Sequence, residues 1–169
     1  MVKTIFYSEV LYDNWSFYIA ATENGLVYVG SSPQTFDELK SWVNNLTFNT
    51  DLIRDDNKLA RYISQLKEYL ARQRTSFTFP VELIGTSFQI EVWNHLLTIP
   101  YGETTTYGEI ATALNKKPTH SRAVGTAIGK NPLMIVYPCH RVVPKMGSPK
   151  GFRGGLPMKK ALLSLEGIK

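Results

Sequence analysis

Cys139 is the only cysteine in the chain, and His140, which follows it at once in Tyr137-Pro-Cys-His-Arg-Val142, is one of only three histidines. One sulfur excludes an internal disulfide framework and a thiolate-rich zinc site, because each needs several. Two readings remain: a small buried hydrophobe or a nucleophile. An ordinary thiol, with a pKa of about 8.5, is mostly protonated at neutral pH, so a nucleophilic role requires a base or a positive environment. His140 is adjacent, but consecutive side chains on an extended strand point to opposite faces. A direct Cys–His contact therefore needs the backbone to turn, which Pro138 favours, and otherwise a bridging water or another base must serve. An imidazole that accepts a proton works best when a carboxylate holds its other nitrogen. The second half of the chain offers only Glu91, Glu103, Glu109 and Glu166. Glu166, which ends the segment Leu162-Leu-Ser-Leu165, is the expected partner, although spacing alone does not bring it to His140. His95, His120 and His140 show no short ligand spacing, so no metal is expected. The local signatures of cysteine proteases are absent as well.

These groups need a scaffold, and 169 residues with 43% hydrophobic content support one sizeable core or two small ones. No export signal and no apolar run near the roughly 18 residues of a membrane span is present, so no membrane partner is expected and the cytoplasm is the expected compartment. The net charge of +5 is unevenly spread: residues 1–84 hold 8 Lys/Arg against 10 Asp/Glu, and residues 85–169 hold 11 against 4. A basic second half is the footprint of a polyanion partner, nucleic acid first among them, or simply of a soluble basic face.

The first 30 residues read as strands, punctuated by Asp13-Asn14 and by the hairpin signal Asn24-Gly25. Helical stripes follow at Phe36, Leu39, Trp42 and Val43 and at Leu59, Tyr62, Ile63, Leu66 and Leu70. The Pro-containing run 75–85 marks the boundary between an N-terminal α/β domain, residues 1–80, and a basic C-terminal domain, residues 85–169. There, Phe88, Val92, Trp93, Leu96 and Leu97 keep helical spacing until Ile99-Pro100-Tyr101-Gly102. Thr106 and Glu109 fit a capping box before Ile110, Ala111 and Leu114, and a second helix over 122–130 ends at Asn131-Pro132. Two short helices joined by a polar turn, the second bearing Arg122 and Lys130, make a helix-turn-helix. That second helix is built from small residues, Ala123, Gly125, Thr126, Ala127 and Gly129. Each glycine costs a helix about 1 kcal/mol relative to alanine, so something must approach the backbone closely, either another helix or the minor groove of DNA.

Taken in order, Phe88-Gln89, Val92-Trp93, Ile99-Pro-Tyr-Gly-Glu-Thr-Thr-Thr-Tyr107, Ser121-Arg-Ala-Val-Gly125, Asn131-Pro132, Pro138-Cys-His-Arg-Val-Val143, Gly154-Gly155, Leu162-Leu163 and Glu166-Gly167 resemble the O6-alkylguanine-DNA alkyltransferases. The resemblance implies an α/β (α+β) chain, with a small ribonuclease H-like sheet-plus-helix domain followed by a mostly helical domain carrying the helix-turn-helix. It implies that Cys139 takes the alkyl group from O6 of guanine, or from O4 of thymine, in a single irreversible turnover, with His140 removing the thiol proton through a water and Glu166 orienting the imidazole. Arg122 would fill the stack left by a flipped base, Tyr107 would assist flipping and donate its hydroxyl proton, and Ala123, Gly125, Thr126, Ala127 and Lys130 would line the DNA. Asn131 would tie the turn after the recognition helix. The backbone at Cys139 and Val142 would meet the guanine edge. Met134 and the loop 151–154, with Phe152, Arg153 and Gly154, would enclose the alkyl group.

The implied partner is double-stranded DNA containing O6-alkylguanine, met by a monomer that binds cooperatively along it, with no cofactor. Relatives with a structural zinc hold it through Cys and His of the N-terminal domain, and residues 1–84 contain neither. Gly154 stands where many bacterial relatives carry a bulky aromatic, which implies room for adducts as large as benzyl, and Met134 stands where some have a pocket-lining proline. Two other classes predict different behaviour. A lesion-binding protein of the alkyltransferase-like group flips the same base without a cysteine, and a cysteine hydrolase turns over a soluble ester or peptide.

Overall fold

The first strands are rich in aromatic and β-branched residues, and Val10 lies opposite Phe17 and Ser8 opposite Ile19 on one buried face of an antiparallel pair, β1 (Val2–Tyr12) and β2 (Trp15–Thr22). The computed structural model describes residues 2–33, 35–145 and 152–168. The chain divides into two units, residues 1–83 and 84–169.

In the first unit β3 (Gly25–Val29) pairs antiparallel with β2, and β4 (Asn49–Arg54) pairs parallel with β1, giving the order β3-β2-β1-β4. The β1–β2 turn is Asp13-Asn14, with Asp13 in the left-handed region at φ 51°. Thr22 lies opposite Gly25, so the second turn is Glu23-Asn24, one residue earlier than the Asn24-Gly25 signal suggests. Gly25 serves a different purpose. At φ 152° it lets residues 80–82 run against β3, and a Cβ there would stand 2.7 Å from the Pro80 carbonyl and 2.8 Å from Val81 N. Leu26 N–H donates to Pro80 O at 3.0 Å and Glu82 N–H to Leu26 O at 2.9 Å, while the Glu82 carboxylate accepts from the Thr22 hydroxyl.

Aromatic side chains fill the space between this sheet and its helices. Phe36 opens α1 (Phe36–Asn44) against Tyr7 and Tyr18, and Trp42 meets Tyr28 at 5.1 Å between ring centroids. The stripe Tyr62, Leu66, Tyr69 and Leu70 buries α2 (Ala60–Leu70), with Phe77 and Phe79 of the following run against Tyr69 and Tyr62. Tyr62 and Tyr69, as their helical spacing indicates, are buried in the core, as are Tyr28 and Phe79.

The second unit starts with α3 (Ser87–Leu96), opened by a reciprocal capping box between Thr86 and Gln89 and buried through Val92, Trp93 and Leu96. Parallel two-residue strands β5 (Thr105–Thr106) and β6 (Val142–Val143) set the start of α4 (Tyr107–Ala113) beside the residues that follow Cys139. At α4 only half of the expected box forms. Thr106 accepts from Glu109 N–H at 3.2 Å, but the Glu109 carboxylate takes the Thr105 hydroxyl at 2.9 Å, a nearer competing donor. Asn115, in the left-handed region at φ 60°, ends that helix, and α5 (Ser121–Gly129) follows a short 3-10 turn at 118–120. α6 (Leu156–Leu165) closes the unit behind Gly155, at φ 89°. No helix among the described residues is long and apolar enough to cross a membrane.

Replacing Gly25 by alanine should lower the stability of the first unit by about 1–3 kcal/mol in urea unfolding, through backbone strain and the clash with Pro80. Unchanged stability would contradict the close approach of residues 80–82 to β3.

Candidate functional site

Residues 131–142 form an unbroken buried segment that carries the cysteine into the second unit. The extended geometry that would separate Cys139 from His140 does not occur, because residues 139–141 form a 3-10 turn closed by Arg141 N–H donating to Pro138 O at 3.0 Å. Cys139 is 4% exposed and His140 wholly buried.

Glu166 caps the end of α6, and its carboxylate gathers this turn. Oε2 lies 2.7 Å from His140 Nε2 and accepts from Arg141 Nη2 at 3.0 Å. Oε1 accepts from Arg141 Nε at 2.8 Å and from the Gly102 N–H at 3.1 Å. Arg141 also donates through Nη1 to Ile99 O at 2.6 Å. A carboxylate has about four acceptor positions, and these donors occupy them. An ionised carboxylate only accepts, so His140 Nε2 carries the proton and Nδ1 is left with its lone pair. Nδ1 is the one buried side-chain nitrogen or oxygen among the described residues without a hydrogen-bond partner.

The electrostatics agree with that tautomer. Burial pulls the His140 imidazole below its usual value. The Glu166 bond and charge oppose that shift, while Arg141 and Lys159 add to it, so the ring is neutral at neutral pH. Burial also pushes the Cys139 thiol up, against a hydrogen bond from the Asn131 side chain and the charges of Arg153 and Lys159. The resting pair is a neutral thiol and a neutral base. Tyr107, first residue of α4 and half-buried, is raised by burial and by the nearby Cys139, so its hydroxyl keeps its proton.

Asn131 is buried and knots the turn after α5, donating through Nδ2 to Tyr137 O at 2.9 Å and accepting at Oδ1 from Leu133 N–H at 3.0 Å. Met134 and Val142 are buried in the same segment. Phe152, Arg153 and Gly154 are half-exposed, while Gly151 of the expected pocket loop lies outside the described residues. A side chain at Gly154 would collide with Met158 Sδ and would come within 2.8 Å of Phe152, so an aromatic there requires both to move.

On α5, Arg122, Ala123 and Thr126 are exposed, as is Lys130 just beyond it, and Gly125 is partly so. A Cβ on Gly129 would touch nothing within 4 Å, and one on Gly125 would make only ordinary contact with the Tyr107 ring at 3.6 Å. Packing within the described residues therefore requires neither glycine. Ala127 departs from the sequence expectation: it is 3% exposed, with its carbonyl accepting from Trp93 Nε1 at 2.8 Å, and it shares the inner face of α5 with Val124 and Ile128. It packs against α3 instead of lining DNA.

The sequence reading missed Arg141 and Lys159. Lys159 is wholly buried and donates to Val142 O at 2.7 Å. It stands one residue after Met158 and three and four before Leu162 and Leu163, inside an apolar stripe, and that position was its legible signal. Among the described residues no cluster of three or more His, Cys, Asp or Glu side chains could hold a metal ion.

A family profile described as 6-O-methylguanine DNA methyltransferase, DNA binding domain, matches residues 87–168, and one described as its ribonuclease-like domain matches residues 5–83. An inducible methylated-DNA–protein-cysteine methyltransferase of Bacillus subtilis is 48% identical over 163 residues, covering 96% of this chain and 90% of its own length. The crystal structure of the Mycobacterium tuberculosis O6-methylguanine methyltransferase superposes with a TM-score of 0.79 at 35% identity, over 96% of this chain and 92% of that one. The same organism's OGT in complex with DNA gives 0.77 at 35% identity, over 95% and 92%.

Glu166→Gln removes the countercharge from a buried guanidinium and should destabilise the second unit by about 3–5 kcal/mol in urea unfolding. A loss within the error of the measurement would mean that the buried network does not hold this site together.

Proposed function

This chain belongs to the 6-O-methylguanine DNA methyltransferase family, and on that premise we propose that it repairs DNA by moving the methyl group of O6-methylguanine onto its own Cys139. It is a methylated-DNA–protein-cysteine methyltransferase. The observation that carries the residue assignment is the neutral His140, with Nε2 engaged by Glu166 and Nδ1 open as a buried base one residue from the only thiol in the chain.

The Cys139 sulfur attacks the alkyl carbon as its proton passes through a water to His140 Nδ1. The S–C bond forms as the C–O6 bond breaks, and guanine regains a proton, for which the protonated Tyr107 hydroxyl is the donor. The product is a thioether that nothing in the site reverses, so each molecule acts once.

A base stacked in a duplex cannot reach a cysteine that is 4% exposed, so the lesion has to be rotated out, at a cost of a few kcal/mol. The exposed face of α5 suits that task. Arg122 enters the vacated stack, and Ala123, Gly125 and Thr126 let the helix backbone approach the duplex closely, which accounts for glycines that internal packing does not require. Lys130 adds charge for the phosphates. Asn131 and Met134 shape the wall behind Cys139. The Val142 carbonyl retains a lone pair for the guanine edge beside its bond from Lys159. Phe152, Arg153 and Gly154 close over the alkyl group, with Met158 and Phe152 filling the space that a side chain at 154 would take. The working partner is duplex DNA carrying O6-alkylguanine, bound by a monomer in the cytoplasm.

Incubation with excess duplex bearing O6-methylguanine, followed by intact and peptide mass spectrometry, should find one methyl group per chain, on the Cys139 peptide, with none on Cys139→Ala. Tight lesion binding without a mass change would mean a lesion sensor with a packed thiol.

A further inference from the structure

The described chain after β6 brings two cations toward Cys139, and the transfer described above assigns no proton or bond to either. Lys159 is wholly buried and bound to Val142 O. Arg153 is half-exposed, with Nε donating to Asn131 O at 3.2 Å and Nη2 to Pro132 O at 3.4 Å. Those carbonyls belong to the turn that leaves α5, the same turn whose Asn131 side chain donates to Tyr137 O, two residues before Cys139. One guanidinium thus joins the pocket loop, the exit of the DNA-facing helix and the neighbourhood of the sulfur.

We propose that Arg153 is a positioning residue for alkyl transfer, latching the pocket loop to the Asn131-Pro132 turn and holding a permanent positive charge beside the sulfur as its thiolate forms. The inference rests on Cys139 being the alkyl acceptor. The other ionisable groups around the sulfur are Tyr107 of α4, His140 and Arg141 of its own turn, and Lys159 and Glu166 at α6. Arg141 and Glu166 neutralise each other, and burial keeps Tyr107 and His140 uncharged near neutral pH. Burial pulls the Lys159 amine below its usual value, and that amine is already engaged by Val142 O. The Arg153 charge favours the thiolate over the thiol.

The test compares the full-length protein with Arg153→Gln and Arg153→Lys. The rate of Cys139 alkylation by free O6-benzylguanine, which needs no DNA contact, is followed across the neutral and alkaline range, with melting temperatures recorded alongside. Arg153→Gln should move the midpoint of the pH–rate curve upward and slow the reaction at neutral pH by roughly 3- to 30-fold. Arg153→Lys should keep the midpoint of the unmodified protein. A merely structural role would lower the rate at every pH and leave the midpoint in place, and an unmoved midpoint in Arg153→Gln would overturn the proposal. If Arg153→Gln does not fold, a midpoint displaced upward in Arg153→Lys would overturn it, and a retained one would support it. If the unmodified protein takes up no benzyl group, the same pH series is run with excess duplex bearing O6-methylguanine, and no methyl uptake there would overturn the proposed function itself and this inference with it.

Discussion

A carboxylate taken out of water has to be met by donors on its lone pairs, and Glu166 is met by two parts of the second unit at once. The Gly102 N–H comes from the loop after α3, and His140 and Arg141 come from the turn that holds the cysteine. Arg141 in turn reaches the Ile99 carbonyl, so the loop is held from both sides. Removing either charge would strand the other in the interior, which makes the arrangement all-or-none. The placement of Cys139 depends on that constraint, since the sulfur sits on the turn that the network fixes.

The same network decides the chemistry available to the thiol. Without Arg141, a buried carboxylate beside His140 would favour imidazolium, and a protonated ring cannot take a proton. With Arg141 bidentate on Glu166 the charges cancel, and burial leaves the ring neutral, with its open nitrogen as the base. The thiol is likewise held neutral by burial.

Much of this was legible in the residues, for identifiable reasons. β1, β2 and β3 are rich in aromatic and β-branched residues between turn signals, and they form where that composition places them. β4 was invisible because Asn49-Thr-Asp-Leu-Ile-Arg54 is a largely exposed edge strand that pairs through its backbone and buries little. Cys139, His140 and Glu166 could be named from their types; Lys159 was legible only through its place in the apolar stripe of α6, and Arg141 carried no such mark. The misplacement of Ala127 was a matter of phase. Val124, Ala127 and Ile128 repeat with helical spacing and define the inner face, which leaves 122, 123 and 126 outside. Composition alone, dominated by small residues, hid that division.

The account stands or falls on which nitrogen of His140 carries the proton. Nitrogen NMR of the labelled histidine rings at neutral pH, with His140→Gln to assign the signal, measures this directly. The structure predicts a neutral ring with Nε2 protonated against Glu166 and Nδ1 bare. A doubly protonated ring, or a proton on Nδ1, would remove the base from the site and contradict the mechanism built on it.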